Sequence, residues 1–427
     1  MAMRHLRRAA NQDGSLRAGN LITRPPPPRV GEPFRAEDWA GGHSRLREAR
    51  RIRASRSPGR AGGNCFSQRA LGGERHRERK RMKISALDLE TFSRRTLQQA
   101  GLSEADARMA SDVLVTTDTW GVFTHGTKNL RGYIRRIQGG GIKRDGRPRI
   151  QSEGPAWALI DGDAALGMVV SCFAMETAIA KAKASGLGYA GVRNSCHFGA
   201  AGYYAALAAQ HNMIGIAMSN DTPTVTVPGA RGAVLGSNPL AFAVPTDGPH
   251  PILMDMATSA VAGGKVFAAA ALGRAIPDHW LVDAEGVPTT DPTGFPQAGA
   301  LLPVGGHKGY GLALLIETLS AILTGAAVAS QVLSWSFGDS SQPTDHGAAF
   351  LAIHIDAMMP GPQFQERVAR TIGEIRQAPK AKGAERIYLP GEMEWEKRER
   401  ALAEGIDLPE DVASSLRRLA EELDVQL

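Results

Sequence analysis

The sequence predicts an α/β fold built on a mixed sheet with flanking helices. Three observations carry this expectation. Apolar runs of strand length are interspersed with helical patterns, but without strict βαβ alternation. Two of those runs, 240–244 and 252–256, are separated only by a Pro/Gly-rich turn. The 427-residue chain is 43% hydrophobic and 22% charged, enough to bury a large core in two or three domains.

An ordered pattern begins at Met82. Ser85 with Asp88 forms a capping-box-like start, and Leu87, Phe92, Leu97 and Ala100 give an amphipathic helix that stops at Gly101. Ser103 with Asp106 opens a second helix through about Asp118. A third follows Thr124-His125-Gly126-Thr127 and ends at Gly139-Gly140-Gly141. Trp157 to Asp161 reads as a strand and Val169 to Ala184 as a helix. Tyr189–Val192 and Ile214–Met218 read as buried strands around a small-residue helix at 199–211. The strands Leu240–Val244 and Ile252–Met256 come next. A long helix runs from Lys308 to about Leu323, and the nearly apolar stretch Gly311 to Ala329, interrupted by Glu317, reads as a buried core helix rather than a membrane span.

The net charge of +7 is unevenly placed. Residues 1–81 hold 20 basic residues, 19 of them Arg, against 7 acidic ones; the remainder holds 30 against 36. The first segment has Pro25 to Pro28, scattered glycines and no sustained periodicity, so disorder is expected there. It has no apolar signal-peptide core, and its acidic residues speak against a transit peptide. We read it as an upstream extension, with the native protein starting near Met82. A basic arm for nucleic acid is the alternative from another functional class, and the acidic balance of 82–427 speaks against it. Cys65, Cys172 and Cys196 lie far apart without metal-ligand spacing, which indicates no zinc site, no disulfide framework and a reduced cytoplasmic setting.

One glycine string is a decoy. Gly186-Leu187-Gly188-Tyr189-Ala190-Gly191 matches G-x-G-x-x-G, but a helix precedes it and a strand follows, the reverse of a dinucleotide fingerprint. Gly186 is more simply a helix C-cap. No P-loop, G-x-S-x-G or H-E-x-x-H occurs.

Chemistry concentrates elsewhere. In Asn194-Ser195-Cys196-His197-Phe198-Gly199-Ala200-Ala201-Gly202, an imidazole stands between a strand and a helix start, where a phosphate or carboxylate would dock. His125 sits in Thr-His-Gly, where the glycine permits close approach and the Thr124 hydroxyl can orient the ring. Asp255 ends a strand, with Lys265 ten residues on as an anion-holding charge. Gly305-Gly306-His307-Lys308 opens a helix as an amide-lined anion site. Gly236-Ser237-Asn238-Pro239 presents a hydroxyl and an amide in a turn. Each residue also has a bland reading: a satisfied, partly buried histidine, a solvated lysine, an ordinary loop-to-helix junction.

Six segments in this order (Thr124-His125-Gly126, Asn194 to Gly202, Gly236 to Pro239, Asp255 to Ser259 with Lys265, His307 to Gly311, and Leu389-Pro390-Gly391-Glu392) resemble the malate/L-lactate dehydrogenase type-2 family. The resemblance spans about Met82 to Ile406. It implies a largely antiparallel mixed sheet and NAD or NADP bound on a non-Rossmann fold. It also implies a homodimer or higher homo-oligomer that interconverts a small 2-hydroxy acid and 2-oxo acid. By residue matching, His125 and His197 are the candidate proton carriers, supported by Thr124 and Lys265. His197, Phe198, Gly199, Ala200, Ala201, Asp255, Met256, Ala257, His307, Lys308 and Arg386 would meet the cofactor, with Gly383 to Arg386 closing over it. Asn129, Tyr133, Ser237 and Gly264 would face the substrate. Many relatives carry arginine where this chain has Asn129, which cannot make a bidentate charged contact. An enzyme alternative is reduction of a cyclic imine acid, but Lys265 falls where that branch tends to carry aspartate. The implied organisation is a helical substrate region over 82–150, a nucleotide-binding core over 151–330, and a C-terminal region over 331–427 that returns to the core.

Overall fold

The computed structural model describes residues 82–427. The expectation of disorder for residues 1–81 lies outside the described residues. The fold is α/β, with one seven-stranded sheet at its centre. In chain order its strands are β2 (Arg149–Glu153), β3 (Trp157–Asp161), β4 (Leu187–Ser195), β5 (Met213–Ser219), β6 (Leu240–Val244), β7 (Ile252–Met256) and β11 (His346–His354). Their order across the sheet is β2-β3-β4-β11-β5-β6-β7. Only the β3–β4 pair is parallel; every other pairing is antiparallel. A late strand, β11, thus occupies the middle, between β4 and β5.

Two helices cover one face of this sheet, and small residues set their distance. The helix α4 (Gly167–Ser185) packs on β4 and β11, and α5 (Ala201–Gln210) on β5 and β6. A Cβ at Gly188 would lie 1.9 Å from the carbonyl oxygen of Ala178, and one at Gly215 2.3 Å from that of Ala205. Strand and helix backbones therefore touch directly, and most of the alanines between them are fully buried. Gly186 ends α4 in the left-handed conformation with φ 83, as expected of a C-cap.

The N-terminal helices pack over α4 and α5. They are α1 (Ala86–Gln99), α2 (Glu104–Thr119) and α3 (Leu130–Gly139), the last preceded by a 3-10 turn at Thr127–Asn129. Ser85 and Ser103 cap α1 and α2 by accepting the amides of Asp88 and Asp106. Strand β1 (Met82–Ile84) pairs antiparallel with β12 (Ile406–Leu408), so the start of the described chain is tied to its last quarter. The C-terminal helices are α8 (Gly361–Gln377), α9 (Glu392–Glu404) and α10 (Glu410–Leu423). The turn Leu389-Pro390-Gly391 covers edge strand β7: Leu253 donates its amide to the Pro390 carbonyl, and Gly391, at φ 87, leaves no room for a side chain there. A second small core under α6 (Gly263–Ala271) gathers Val266, Phe295 and Leu301 with strands β8 (Leu281–Val282), β9 (Pro288–Thr289) and β10 (Ala300–Leu301).

The reading of Gly311 to Ala329 as a buried core helix is overturned. The helix α7 spans His307–Glu317 and continues as a π-helical turn, Thr318–Ile322. Only one side, with Ile316 and Ser320, seals the second face of the sheet. Leu312, Leu315, Ile322 and Leu323 are between 38% and 62% exposed. An unbroken apolar run cannot distinguish a helix buried in its own chain from one that presents apolar surface outward. No helix among the described residues is long and apolar enough to cross a membrane.

Gly188→Ala should cost about 1–3 kcal/mol, because the added methyl forces α4 off β4. The check is thermal unfolding, where the midpoint should drop by several degrees.

Candidate active site

The chain leaves β4 at Ser195 and turns sharply. Asn194, at φ 54, donates its amide to Asp345 at 2.8 Å, and Gly199, at φ 80, completes the reversal. Gly167 lets the first turn of α4 rest on this loop: a Cβ there would lie 2.4 Å from the carbonyl oxygens of both Cys196 and His197. Held this way, His197 reaches α3. Its Nδ1 is 2.6 Å from the Tyr133 hydroxyl. Its ring stacks on Trp335 at 4.2 Å and 15°, and Trp335 in turn stacks on Tyr133 at 5.3 Å. Burial lowers the His197 imidazole to about 3, aided by the neighbouring His125 and opposed by Asp221. His197 is therefore neutral at pH 7. Burial also pushes the Tyr133 hydroxyl well above its ordinary value, so it keeps its proton and can serve Nδ1 as donor or acceptor.

His125 faces this ring, with centroids 5.7 Å apart. The Thr124 hydroxyl lies 2.9 Å from its Nδ1, and the Asn129 amide donates to the Thr124 carbonyl at 2.8 Å. Burial lowers His125 too, against the pull of Asp255 and Asp221. The glycine in Thr-His-Gly does something other than admit a ligand. A Cβ at Gly126 would lie 1.8 Å from Oδ1 of buried Asp118, so the close approach belongs to this carboxyl. Oδ2 of Asp118 accepts the amide and hydroxyl of Thr127 at 3.1 and 2.5 Å, while Oδ1 is buried without a hydrogen-bond partner. Burial pushes Asp118 up to about 7, only partly offset by those two bonds.

The helix start beyond His197 also differs from expectation. The amide of Gly202 donates to Oδ2 of Asp255 at 2.7 Å, so the carboxylate docked at the N-terminus of α5 is the chain's own. Asp255 is reachable by solvent though ringed by protein, and the lost solvation raises its carboxyl against the pull of that bond and of His125. Phe198 turns into the core against Tyr204 and Phe350, with Ala200 and Ala201 buried beside it. Met256 and Ala257 are half-buried at the end of β7, and Thr258 binds the Ser237 carbonyl through its amide and hydroxyl at 2.8 and 2.9 Å. Gly264 lies against Thr124, where a Cβ would sit 3.3 Å from the threonine methyl, which sets exposed Lys265 one residue from the histidine loop. His307 and Lys308 stand exposed at the start of α7 behind Gly305 and Gly306, both at positive φ, and the Val304 amide donates to Thr258. Arg386 lies over the Tyr388 ring and is paired with Glu396.

Several participants carry no local sequence signal. Trp335 lies in a serine-flanked loop. Asp221 meets His346 at 3.2 Å across the sheet; burial would raise its carboxyl, and the hydrogen bonds from His346 and the Thr222 amide, with the nearby histidines, outweigh that and leave it below the usual carboxylate range. Arg136, buried in α3, donates to the carbonyls of Trp335 and Gln342 at 3.3 and 2.6 Å.

Residues 84–417 match the family described as malate/L-lactate dehydrogenase. The chain belongs to that family. It is an oxidoreductase that acts on the CH–OH group of a hydroxy acid. Malate dehydrogenase of Pyrococcus horikoshii is 39% identical over 345 residues, 79% of this chain and 94% of the relative. Ureidoglycolate dehydrogenase (NAD(+)) of Escherichia coli is 36% identical over 331 residues, 78% of this chain and 94% of the relative. The crystal structure of malate dehydrogenase from Entamoeba histolytica superposes with a TM-score of 0.77 at 32% identity, covering 82% of this chain and 99% of that one.

Asp118 stays protonated when folded up to about pH 7 but ionises near 3.8 when unfolded. Between those values the unfolded chain binds fewer protons, so this residue's contribution makes stability fall as pH rises from about 4 to 7. Asp118→Asn should remove that slope in urea melts; an unchanged slope would contradict the assignment.

Proposed function

We propose that the cleft between α3, the His197 loop and α6 interconverts a small 2-hydroxy acid and its 2-oxo acid with NAD or NADP. The observation that carries this reading is the pair of neutral, facing imidazoles, His125 and His197, beside a helix that bears Lys265. A neutral imidazole is the form that can take a hydroxyl proton.

The residues fit a nicotinamide dinucleotide. Two consecutive left-handed glycines, Gly305 and Gly306, with no atom within 4 Å of a Cβ built on Gly306, leave the surface of this turn and the Lys308 side chain open to a phosphate, while the amides of Lys308, Gly309 and Tyr310 already donate to backbone carbonyls. Gly199, Met256, Ala257 and His307 would line the remainder, and Gly383 to Arg386 would lie over it. The G-x-G-x-x-G string takes no part, because it is spent on the α4–β4 turn, and this supports a non-Rossmann binding fold. When bound, the nicotinamide supplies the acceptor for the hydride leaving C2.

The protein's own groups do the rest. Tyr133 holds Nδ1 of His197 and so presents Nε2 to the substrate. As the C2–H bond breaks with its electron pair, the hydroxyl proton passes to a histidine and C2–O becomes a carbonyl. His197 is the better placed carrier, because two other rings fix its plane; His125, oriented by Thr124, bounds the opposite side. Lys265 holds the carboxylate as a point charge, with Ser237, Asn129 and Gly264 around it. In this reading residues 82–150 furnish the substrate side, 151–330 the nucleotide side, and 331–427 return to close both. The exposed leucine face of α7 is covered by a second copy in a homodimer, and the free, buried Cys172 and Cys196 suit the cytoplasm.

His125→Ala and His197→Ala should each lower turnover by about 10²–10⁴-fold. Absorbance of the reduced nicotinamide at steady state is the measurement, and full turnover in both variants rejects the mechanism.

A further inference from the structure

Most charges around the substrate side are paired or turned away, and they limit what the substrate carries. Lys128 pairs with Asp411 at 2.7 Å, and Arg131 binds Glu422 through Nε at 2.8 Å; both partners lie on α10. Arg135 is exposed and adds to the field at Glu422. Arg136 points beneath the helix, where its two terminal nitrogens donate to backbone carbonyls and its buried Nε has no partner. The Asn129 amide is committed to the Thr124 carbonyl. Among the described residues of this region, Lys265 is the cation beside the histidine loop. The carboxyl groups that act on the two rings are Asp221 and Asp255, with His346 opposing Asp221 at His197.

The remaining wall is aromatic. Residues 333–342 leave α3, reach α6 and return to the end of α3. Trp335 stacks on His197 and Tyr133; two residues on, Phe337, 75% exposed, meets Phe267 of α6 at 6.1 Å, two residues beyond Lys265. The segment is pinned by Arg136 and by the C-terminal glycines of α3. A Cβ at Gly139 or Gly141 would fall 2.8 or 2.4 Å from the Ser340 carbonyl oxygen, to which the Gly141 amide donates. Gly132 leaves room for the indole, whose Cζ3 would be 3.5 Å from a Cβ there.

We propose that the substrate is a 2-hydroxy or 2-oxo monocarboxylic acid with an uncharged, apolar side chain read by Trp335 and Phe337. A dicarboxylic or sulfonated hydroxy acid is not the preferred substrate. The proposal rests on the oxidoreductase reading above and adds the substrate class. One lysine matches one carboxylate. A second anionic group would be taken from water onto aromatic faces, beside two carboxylates, with the nearest remaining cation, Arg136, held behind the wall by the carbonyls of Trp335 and Gln342. An apolar side chain loses only unfavourable hydration on the same surface.

The test is steady-state kinetics of the full chain with both NAD and NADP. The substrates are both enantiomers of lactate, 2-hydroxy-4-methylpentanoate, 3-phenyllactate, malate and 3-sulfolactate. The expected result is a kcat/KM for at least one of the two larger apolar acids about tenfold or more above malate and sulfolactate. Malate or sulfolactate equalling or exceeding the apolar acids overturns the substrate class and leaves the oxidoreductase reading standing. Turnover of none of the acids overturns that reading itself. Trp335→Ala should lower the ratio of kcat/KM for 2-hydroxy-4-methylpentanoate to that for lactate by about tenfold, with Trp335→Phe restoring most of it. An unchanged ratio in Trp335→Ala overturns the role given to the indole.

Discussion

The site depends on the partial withdrawal of one imidazole from water. His197 is enclosed by Tyr133 and His125, from α3 and the loop before it, and by Trp335 from a segment some 200 residues on. The enclosure costs the protonated form its hydration, so the ring rests neutral and its plane is fixed by stacking. Both properties are needed before a hydroxyl proton can be taken at a defined position. α3 supplies Tyr133, the exit of β4 supplies the histidine, and residues 333–342 supply the indole. The packing of these three segments is therefore also the assembly of the chemistry.

That packing is achieved by removing side chains rather than by fitting large ones. Gly167 against the His197 loop, Gly126 against Asp118 and Gly188 against α4 each place backbone where a methyl group would collide. The same economy brings Asp255 onto the amide of Gly202, so edge strand β7 and helix α5 are joined by a charge-assisted bond at the rim of the site. Asp118 shows the cost of such closeness: its carboxyl is buried so completely that one oxygen lacks a partner and the group holds its proton near neutrality. The Thr127 bonds make that position tolerable, and they set the loop that carries His125.

Much of this was legible in the sequence, for identifiable reasons. Leu240–Val244, Ile252–Met256 and Trp157–Asp161 stand out because short apolar runs between turn residues have few other uses. Ser85 and Ser103 announce their helices because capping is local. The segments holding His125, His197, Asp255 and Lys308 were found through their glycine-rich or strand-end settings. What could not be read was anything that acts across the chain. Trp335, His346 and Asp221 reach the site through sheet order and loop path, and nothing near them in sequence marks their role. Arg136 looks like a solvated helix residue until its carbonyl partners, some 200 residues away, are in place. The apolar α7 was read as core because composition records that a surface is apolar and not what covers it.

The central claim is that His197 is held neutral by its enclosure. Histidine-selective ¹³C or ¹⁵N NMR titration measures this directly, with the signal assigned by loss in His197→Gln. The ring should remain unprotonated as the pH falls to about 4, well below an exposed histidine. Protonation of His197 between pH 6 and 7, as for a solvated imidazole, would contradict the account.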